Sequence, residues 1–379
     1  MKNSFVIAGK KLRYEPVRGS FKVKSCPAAY AVTFNRGELF GRVNAYLADN
    51  TASVVLIDKT VYRLYGKQLL CPKERIFQAP ASESFKTVAG LSQLWRFLAE
   101  RKFNKAGKLI VIGGGIMQDA GAFASLCYKR GIDWIFVPTT LLSMSDSCIG
   151  AKCGINFGSA KNQLGLFSAP REVIIDAQFL ATLKTADIKS GLGEILKMAV
   201  IAGPRAMEIY DAHIGGALKA AASHDGLAVL KCFTPLVKMS LSAKKTVVEA
   251  DEFERNVRRS LNYGHTAGHA LEVLSGYKIP HGTAIVFGLL AANEISVAAG
   301  LLPLETRNEI AQRAKSLLDF GAGRVDAAKL AELVRADKKT AGGKISFVVC
   351  SGLGRTQFLS VEINKDFAAK LKKALEGVC

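Results

Sequence analysis

Paired cysteines, long apolar runs and blocks of like charge are all missing from this 379-residue chain. Its eight cysteines (Cys26, Cys71, Cys127, Cys148, Cys153, Cys232, Cys350 and Cys379) are scattered, with no CxxC spacing. That argues against a disulfide framework and a cysteine-type zinc site, and it fits reduced thiols in a cytoplasm. No uninterrupted run of about 18 apolar residues occurs, so the sequence predicts no membrane-spanning helix. The opening MKNSFVIAGKKLRYEP has too short an apolar segment for a secretory leader and no small-residue cleavage site. Repeats, low-complexity tracts and proline-rich linkers are likewise missing.

What is present is an ordinary globular composition with one bias. Hydrophobic residues make up 49% and charged residues 22%, enough for a large core and two domains. Lys and Arg number 52 against 32 acidic residues, a net charge of +20. The excess is spread along the chain without a basic tail or an aromatic-basic stripe. It therefore points to a small anionic ligand such as a sugar phosphate, not to nucleic acid or a membrane.

Read in order, AAYAVTFNRG alternates as a strand. VVLID is a buried strand ending in Asp58, a position suited to a ribose ligand. SESFKTVAGLSQLWRFLAE reads as a capped amphipathic helix with Val88, Leu91, Leu94 and Phe97 on its stripe. The apolar run Leu109 to Ile112 enters Gly113-Gly114-Gly115 and then a helix bearing Asp119. Glycines at such a turn let the backbone approach a diphosphate at the helix N-terminus. The pattern is not GxGxxG, and a simple packing turn is the alternative. DWIFVPTTLL, ending in Thr139 and Thr140, and REVIID are further strands. Strands alternating with helices predict a parallel sheet with its ligand at the strand C-termini.

From about Leu183 the periodicity becomes helical. KTADIKSGLGEILKMAVIAG puts Glu194 and Lys197 on one side of a helix, and KISFVVC is the only strand-like run that follows. The expected fold is thus an α/β N-terminal domain with a parallel sheet, residues 1–183. A mostly α-helical C-terminal domain, residues 184–379, would follow it, with the active cleft between the halves. RRSLNYGHTAGHALEVLSGYKIPHG concentrates three of the five histidines: His265 and His269 on one helical face, His281 in a turn between Pro280 and Gly282. Such a set holds a metal if a carboxylate completes it; hydrogen-bonded or solvated histidines are the alternative.

Taken together, GGGIMQD, Arg130-Gly131, PTTLLSMSDSCIGAKCGIN, KNQLG, SGLGEILK, KKTVVEADE, RRSLNYGHTAGH, PHG and DKK resemble the sugar phosphate cyclases over roughly Asp58 to Val349. The resemblance implies an NAD-binding α/β domain, a helical metal domain carrying zinc or cobalt, and a homodimer. It assigns the metal to Glu194, His265 and His281. The NAD site would include Asp58, Glu83, Lys86, Gly114, Gly115, Asp119, Thr139, Thr140, Asp146, Lys161 and Thr182. The substrate site would include Asp146, Lys152, Asn162, Lys197, Lys244, Arg258, Asn262, His269, Lys338 and Lys339, with Arg130 reaching a neighbouring subunit's site. Lys152, Lys197, Lys244 and His269 would stabilise developing oxyanions.

Some positions depart from the commonest pattern of the family: Thr60, Ala151, Cys153 and the Phe157-Gly158 pair. NFG resembles cyclases that use sedoheptulose 7-phosphate, as in 2-epi-5-epi-valiolone synthesis. Arg258, Asn262 and His269 match instead a substrate bearing a carboxylate, 3-deoxy-arabino-heptulosonate 7-phosphate, whose cyclisation with loss of phosphate gives 3-dehydroquinate of the shikimate route. Two other classes compete. A metal-dependent polyol dehydrogenase would not need the lysine set, and a nucleic-acid module is motivated by net charge alone.

Overall fold

The computed structural model describes residues 3–26, 28–158, 160–318, 325–336 and 344–376. Its strands are β1 (Ser4–Ile7), β2 (Lys10–Arg13), β3 (Phe21–Val23), β4 (Tyr30–Phe34), β5 (Val54–Asp58), β6 (Ile76–Ala79), β7 (Leu109–Gly113), β8 (Trp134–Pro138), β9 (Lys152–Phe157), β10 (Ala160–Phe167), β11 (Glu172–Ile175), β12 (Lys344–Gly352) and β13 (Arg355–Glu362). Seven of them form one sheet in the order β3-β4-β11-β8-β7-β5-β6. Every neighbouring pair is parallel except β3 with β4. The cause is visible in the residues. β7 and β8 are buried along their whole length, as strands covered on both faces must be. Register sets Ile57 opposite Ile112 and Gly113 opposite Pro138, so Asp58, the glycine turn and Thr139 leave the sheet at one edge.

The helix after β6 is Val88–Glu100. Thr87 caps it, its Oγ1 accepting from Gly90 N at 3.1 Å, and SESFK forms the turn ahead of that cap. Its buried stripe is Leu91, Leu94 and Leu98; Val88, expected on that stripe, is 44% exposed because it sits in the first turn. The antiparallel hairpin β9-β10 was not anticipated, since its mixed polar sequence lacks a clean alternation.

Packing divides the chain into two compact units, but not at one boundary. The sheet unit comprises Val17–Leu183 and Gly216–Thr234; the helical unit comprises Met1–Pro16, Lys184–Gly215 and Pro235–Cys379. A single division at 183/184 misses two exchanges. β1 pairs in parallel with β13 and so carries the N-terminus into the helical unit. His224 Nδ1 lies 2.7 Å from Ala181 O within the sheet unit.

The helical unit also holds a four-stranded sheet, β12-β13-β1-β2. β12 matches the expected KISFVVC strand, whereas β13 was missed because its sequence, RTQFLSVE, is half polar. At the unit's centre runs the helix His281–Ala298, apolar on every side. It and Gly226–Ala250 are long and apolar enough, by length and composition, to cross a bilayer, although polar residues interrupt the apolar run in each. His281–Ala298 is 83% buried inside the protein, so its apolarity serves the core. Two of the polar residues that interrupt it have partners. Asn293 accepts from Tyr263 OH, and Glu294 meets Arg307 and Lys373.

Candidate functional site

Three helices of the helical unit bring the histidines to one carboxylate. Glu194 comes from Thr185–Ala202, His265 and His269 from His265–Leu274, and His281 from the start of His281–Ala298. His281 is the first helical residue and not part of a turn, because the extended Pro280 serves as the helix cap. Glu194 Oε1 lies 3.3 Å from His281 Nε2 and 3.7 Å from His265 Nε2. Each imidazole is held from behind: His265 Nδ1 is 3.3 Å from Tyr263 O, and His281 Nδ1 is 3.1 Å from Glu272 Oε2. If Nδ1 is the donor in both rings, both Nε2 lone pairs face Glu194. A ring nitrogen of His269 lies within 4.8 Å of those of His265 and His281, so the exposed His269 borders the same point.

The charges around this cluster are strongly coupled. Burial opposes ionisation of Glu194, yet Lys197, His281 and His265 hold its carboxyl well below the usual range. Burial and the Lys197 ammonium push His265 well down and keep it neutral. Burial also opposes charge on His281, but the Glu194 and Glu272 carboxylates on either side outweigh it and raise the ring to about 10, so an ion binding at Nε2 must displace a proton. Lys197 Nζ sits 2.5 Å from Glu194 Oε2 and donates to Leu261 O at 2.9 Å. Arg258 and Asn262 belong to the short helix Val257–Asn262. Arg258 is buried and donates to Glu252 O; Asn262 Nδ2 donates to Glu254 Oε1 at 2.9 Å. Lys244 is buried on Gly226–Ala250. Lys338 and Lys339 lie outside the described residues.

In the sheet unit, Gly113 has φ +157°, and a Cβ there would meet Met117 Cγ at 2.4 Å. A Cβ on Gly114 would meet Thr140 Cγ2 at 2.9 Å, whereas one on Gly115 would have no atom nearer than Ser147 Oγ at 3.9 Å. Gly113 and Gly114 are thus required by close packing on Met117 and Thr140, while Gly115 leaves room beside the N-terminus of helix Gly115–Cys127, where an anion is favoured. Asp58 caps the helix after β5 by accepting from Thr60 N at 2.6 Å. Thr139 N donates to Gly113 O at 3.0 Å, and Thr140 Oγ1 pairs with Ser143 Oγ at 2.8 Å. Asp146 lies in the π-turn Ser143–Ser147, and Thr182 pairs with Tyr65 OH at 2.8 Å.

A second polar cluster ties the hairpin to the helix that bears Asp119. Lys86 Nζ contacts Asp119 Oδ2 at 3.0 Å and donates to Asn162 Oδ1 at 2.7 Å. Glu83 holds Lys161 at 3.3 Å and accepts from Asn156 at 2.7 Å. Asn156, which sequence reading missed, also accepts from Asn162 N at 3.0 Å. Asp119, Lys152, Cys153, Asn162, Leu166 and Phe167 are among the residues lining a cavity of about 520 Å³.

Burial raises Asp119 from 3.8 to about 6, against partial relief from Lys86. The folded-state value exceeds the unfolded one, so the native state binds the extra proton between them. This contribution falls as pH rises from about 4 to about 6 and is flat above. Asp119→Asn should flatten that segment of the stability curve, measured as urea midpoints of both proteins from pH 4 to pH 7. Parallel curves would contradict the assignment.

Arg130 is exposed, and it shares with Lys129 a left-handed backbone, φ 59° and 49°, ahead of Gly131 at 102°. Such strain in two consecutive non-glycine residues is the kind found where a side chain must be presented.

The donor set fits a divalent ion. Two ring nitrogens, His281 Nε2 at 3.3 Å and His265 Nε2 at 3.7 Å, converge on one oxygen of buried Glu194. Two histidines and a carboxylate leave coordination positions open for a substrate. The glycine turn likewise fits a dinucleotide diphosphate. Fold and donor set together fit an enzyme that uses a dinucleotide and a divalent ion.

Comparison with known proteins narrows this. The family model described as 3-dehydroquinate synthase N-terminal matches residues 76–190, and 3-dehydroquinate synthase C-terminal matches residues 191–340. The 3-dehydroquinate synthase of Nostoc punctiforme is 33% identical over 313 residues, 79% of this chain and 84% of that protein. Among solved structures, 2-deoxy-scyllo-inosose synthase with carbaglucose-6-phosphate, NAD+ and Co2+ aligns with TM-score 0.79 at 22% identity, covering 94% of this chain and 99% of that one. A 2-epi-5-epi-valiolone synthase from Streptomyces hygroscopicus with NAD+ and Zn2+ aligns at 0.73 and 23% identity, over 94% and 99%. The chain belongs to the 3-dehydroquinate synthase family.

Proposed function

We propose that the protein is an NAD- and metal-dependent sugar phosphate cyclase converting 3-deoxy-arabino-heptulosonate 7-phosphate into 3-dehydroquinate with elimination of phosphate. The observation that carries this reading is that the two 3-dehydroquinate synthase family models together match residues 76–190 and 191–340, the stretch that holds Glu194, His265, His281 and the buried cations Lys197, Lys244 and Arg258. A polyol dehydrogenase has no anionic substrate that calls for such a set of cations. Family membership and the 3-dehydroquinate synthase name of the Nostoc punctiforme relative support the particular reaction.

Glu194, His265 and His281 would hold Zn2+ or Co2+. Asp58, Glu83, Lys86, Gly114, Gly115, Asp119, Thr139, Thr140, Asp146, Lys161 and Thr182 would bind NAD. When bound, NAD supplies a hydride acceptor that is regenerated within the turnover, and the ion supplies Lewis-acid polarisation of a hydroxyl. The chain's own residues do the rest. Arg258 and Asn262 bind the substrate carboxylate, the guanidinium in bidentate fashion. Asp146, Lys152, Asn162, Lys338 and Lys339 complete the polar surroundings. Lys152, Lys197, Lys244 and His269 donate hydrogen bonds to oxygens as negative charge develops. Arg130, on its exposed strained turn, binds phosphate in a neighbouring subunit of a homodimer. Reduced thiols fit a cytoplasmic enzyme; seven free cysteines are described.

Specificity is tested by offering 3-deoxy-arabino-heptulosonate 7-phosphate and sedoheptulose 7-phosphate in parallel and following phosphate release. The first should dominate. Dominance of the second would reassign the substrate and make the Asn156-Phe157-Gly158 stretch the informative feature. Arg258→Ala should cut kcat/KM for the acid substrate by roughly 10²-fold, on the order of 3 kcal/mol for a lost charge-assisted pair. An unchanged kcat/KM contradicts the carboxylate role.

A further inference from the structure

We infer that Glu272, which lies outside the metal, NAD and substrate sets, is a positioning residue that orients His281 toward the ion. This rests on the metal reading of the Glu194 cluster. Glu272 lies three residues beyond His269 on the helix His265–Leu274, so His265, His269 and Glu272 share one face. Its Oε2 stands 3.1 Å from His281 Nδ1, and the opposite ring nitrogen stands 3.3 Å from Glu194 Oε1. The imidazole is thus suspended between two carboxylates, one from each side.

Two features make Glu272 more than a surface acid. Its side chain is only 15% exposed, while the histidine it meets is 34% exposed and so less confined by packing. Its own backbone is anchored, because the carbonyl of Glu272 accepts from Tyr277 N at 2.7 Å and from Ser275 Oγ at 3.0 Å. The contrast with His265 is instructive. That ring is shallower in its need for support, being 14% exposed, and a neutral carbonyl of Tyr263 faces its Nδ1. An anionic acceptor behind His281 fixes the tautomer that leaves Nε2 available and raises the ring's basicity as a ligand. Removing such a partner weakens metal binding by roughly 10–100-fold in known sites.

The test uses the full-length chain stripped of metal and reloaded with Zn2+ in competition with a chromophoric chelator. Glu272→Ala should weaken binding by about 10–100-fold. Glu272→Gln, which keeps an acceptor oxygen and loses the charge, should fall between Ala and wild type. The visible absorption of the Co2+-loaded protein should shift in Glu272→Ala, while the thermal midpoint of the metal-free protein stays at the wild-type value. Wild-type affinity in Glu272→Ala overturns the inference. So does an equal loss in both variants accompanied by a lower metal-free midpoint, since that marks a packing role. A wild-type chain that takes up no ion overturns the metal reading itself, and this inference with it.

Discussion

Substituting Glu194 should abolish both the bound ion and turnover. Among the described residues, its carboxylate is the one on which His265 Nε2 and His281 Nε2 both converge. Loss of Lewis-acid polarisation costs several kcal/mol in the transition state, a rate loss of roughly 10³-fold or more. Glu194→Ala carries a second penalty. Lys197 and Glu194 are each only 2% exposed, so removing the acid strands a buried ammonium. Breaking a buried pair from one side costs about 3–5 kcal/mol. Glu194→Ala is therefore expected to lose stability as well as metal, and a second variant keeps the claim testable. His281→Ala removes a 34% exposed ring and leaves the Glu194–Lys197 pair intact. It should fold, elute free of zinc by elemental analysis, and show no turnover. A fully metallated, active His281→Ala would refute the ligand assignment.

The second large effect is expected at Gly282, which neither donates to a ligand nor carries a side chain. A Cβ there would lie 1.7 Å from the backbone oxygen of Ser190, and Gly282 N donates to Ser190 Oγ at 2.9 Å. The contact is reciprocal in kind: a Cβ on Gly193 would meet Gly282 O at 2.4 Å. Helices Thr185–Ala202 and His281–Ala298 therefore touch backbone to backbone, directly beside Glu194 and His281. No rotamer change relieves such a clash, so one helix must move. Gly282→Ala should cost about 3 kcal/mol or more, lowering the thermal midpoint by roughly 6–12 °C, and should reduce zinc occupancy in parallel. Gly215→Ala is the control, since nothing lies within 4 Å of its Cβ position. Gly215 lies in the helix Pro204–Ser223, where that change should be neutral or stabilising. Equal midpoints for Gly282→Ala and wild type would remove the close approach as the device that positions His281.

The parts of the fold that were readable share a cause. Val54–Asp58, Leu109–Gly113 and Trp134–Pro138 are strands buried on both faces, so they appear as short apolar runs bounded by turn residues. β10 and β13 were missed because their exposed and half-exposed positions impose no such pattern, and β9 because its short buried core carries a cysteine, a glycine and an asparagine. His281 was assigned to a turn because Pro280 and Gly282 flank it. The flanking residues have other tasks: Pro280 caps a helix, and Gly282 lets two helices meet. The histidine pair at 265 and 269 was legible from spacing, but the carboxylate that completes it lies about 70 residues earlier, and only a family pattern could link them. Glu272 was missed although its spacing from His269 is helical. An acid on a helix is usually solvated, and nothing in the sequence says that His281 lies against it.

The central claim is that NAD is used and restored within one turnover. The most direct measurement follows phosphate release and absorbance of NADH together, with 3-deoxy-arabino-heptulosonate 7-phosphate, NAD and Zn2+ or Co2+ present. The account predicts one phosphate per substrate consumed, 3-dehydroquinate as product, and no net NADH. Accumulation of NADH without phosphate would contradict it and make the protein a dehydrogenase built on the same fold.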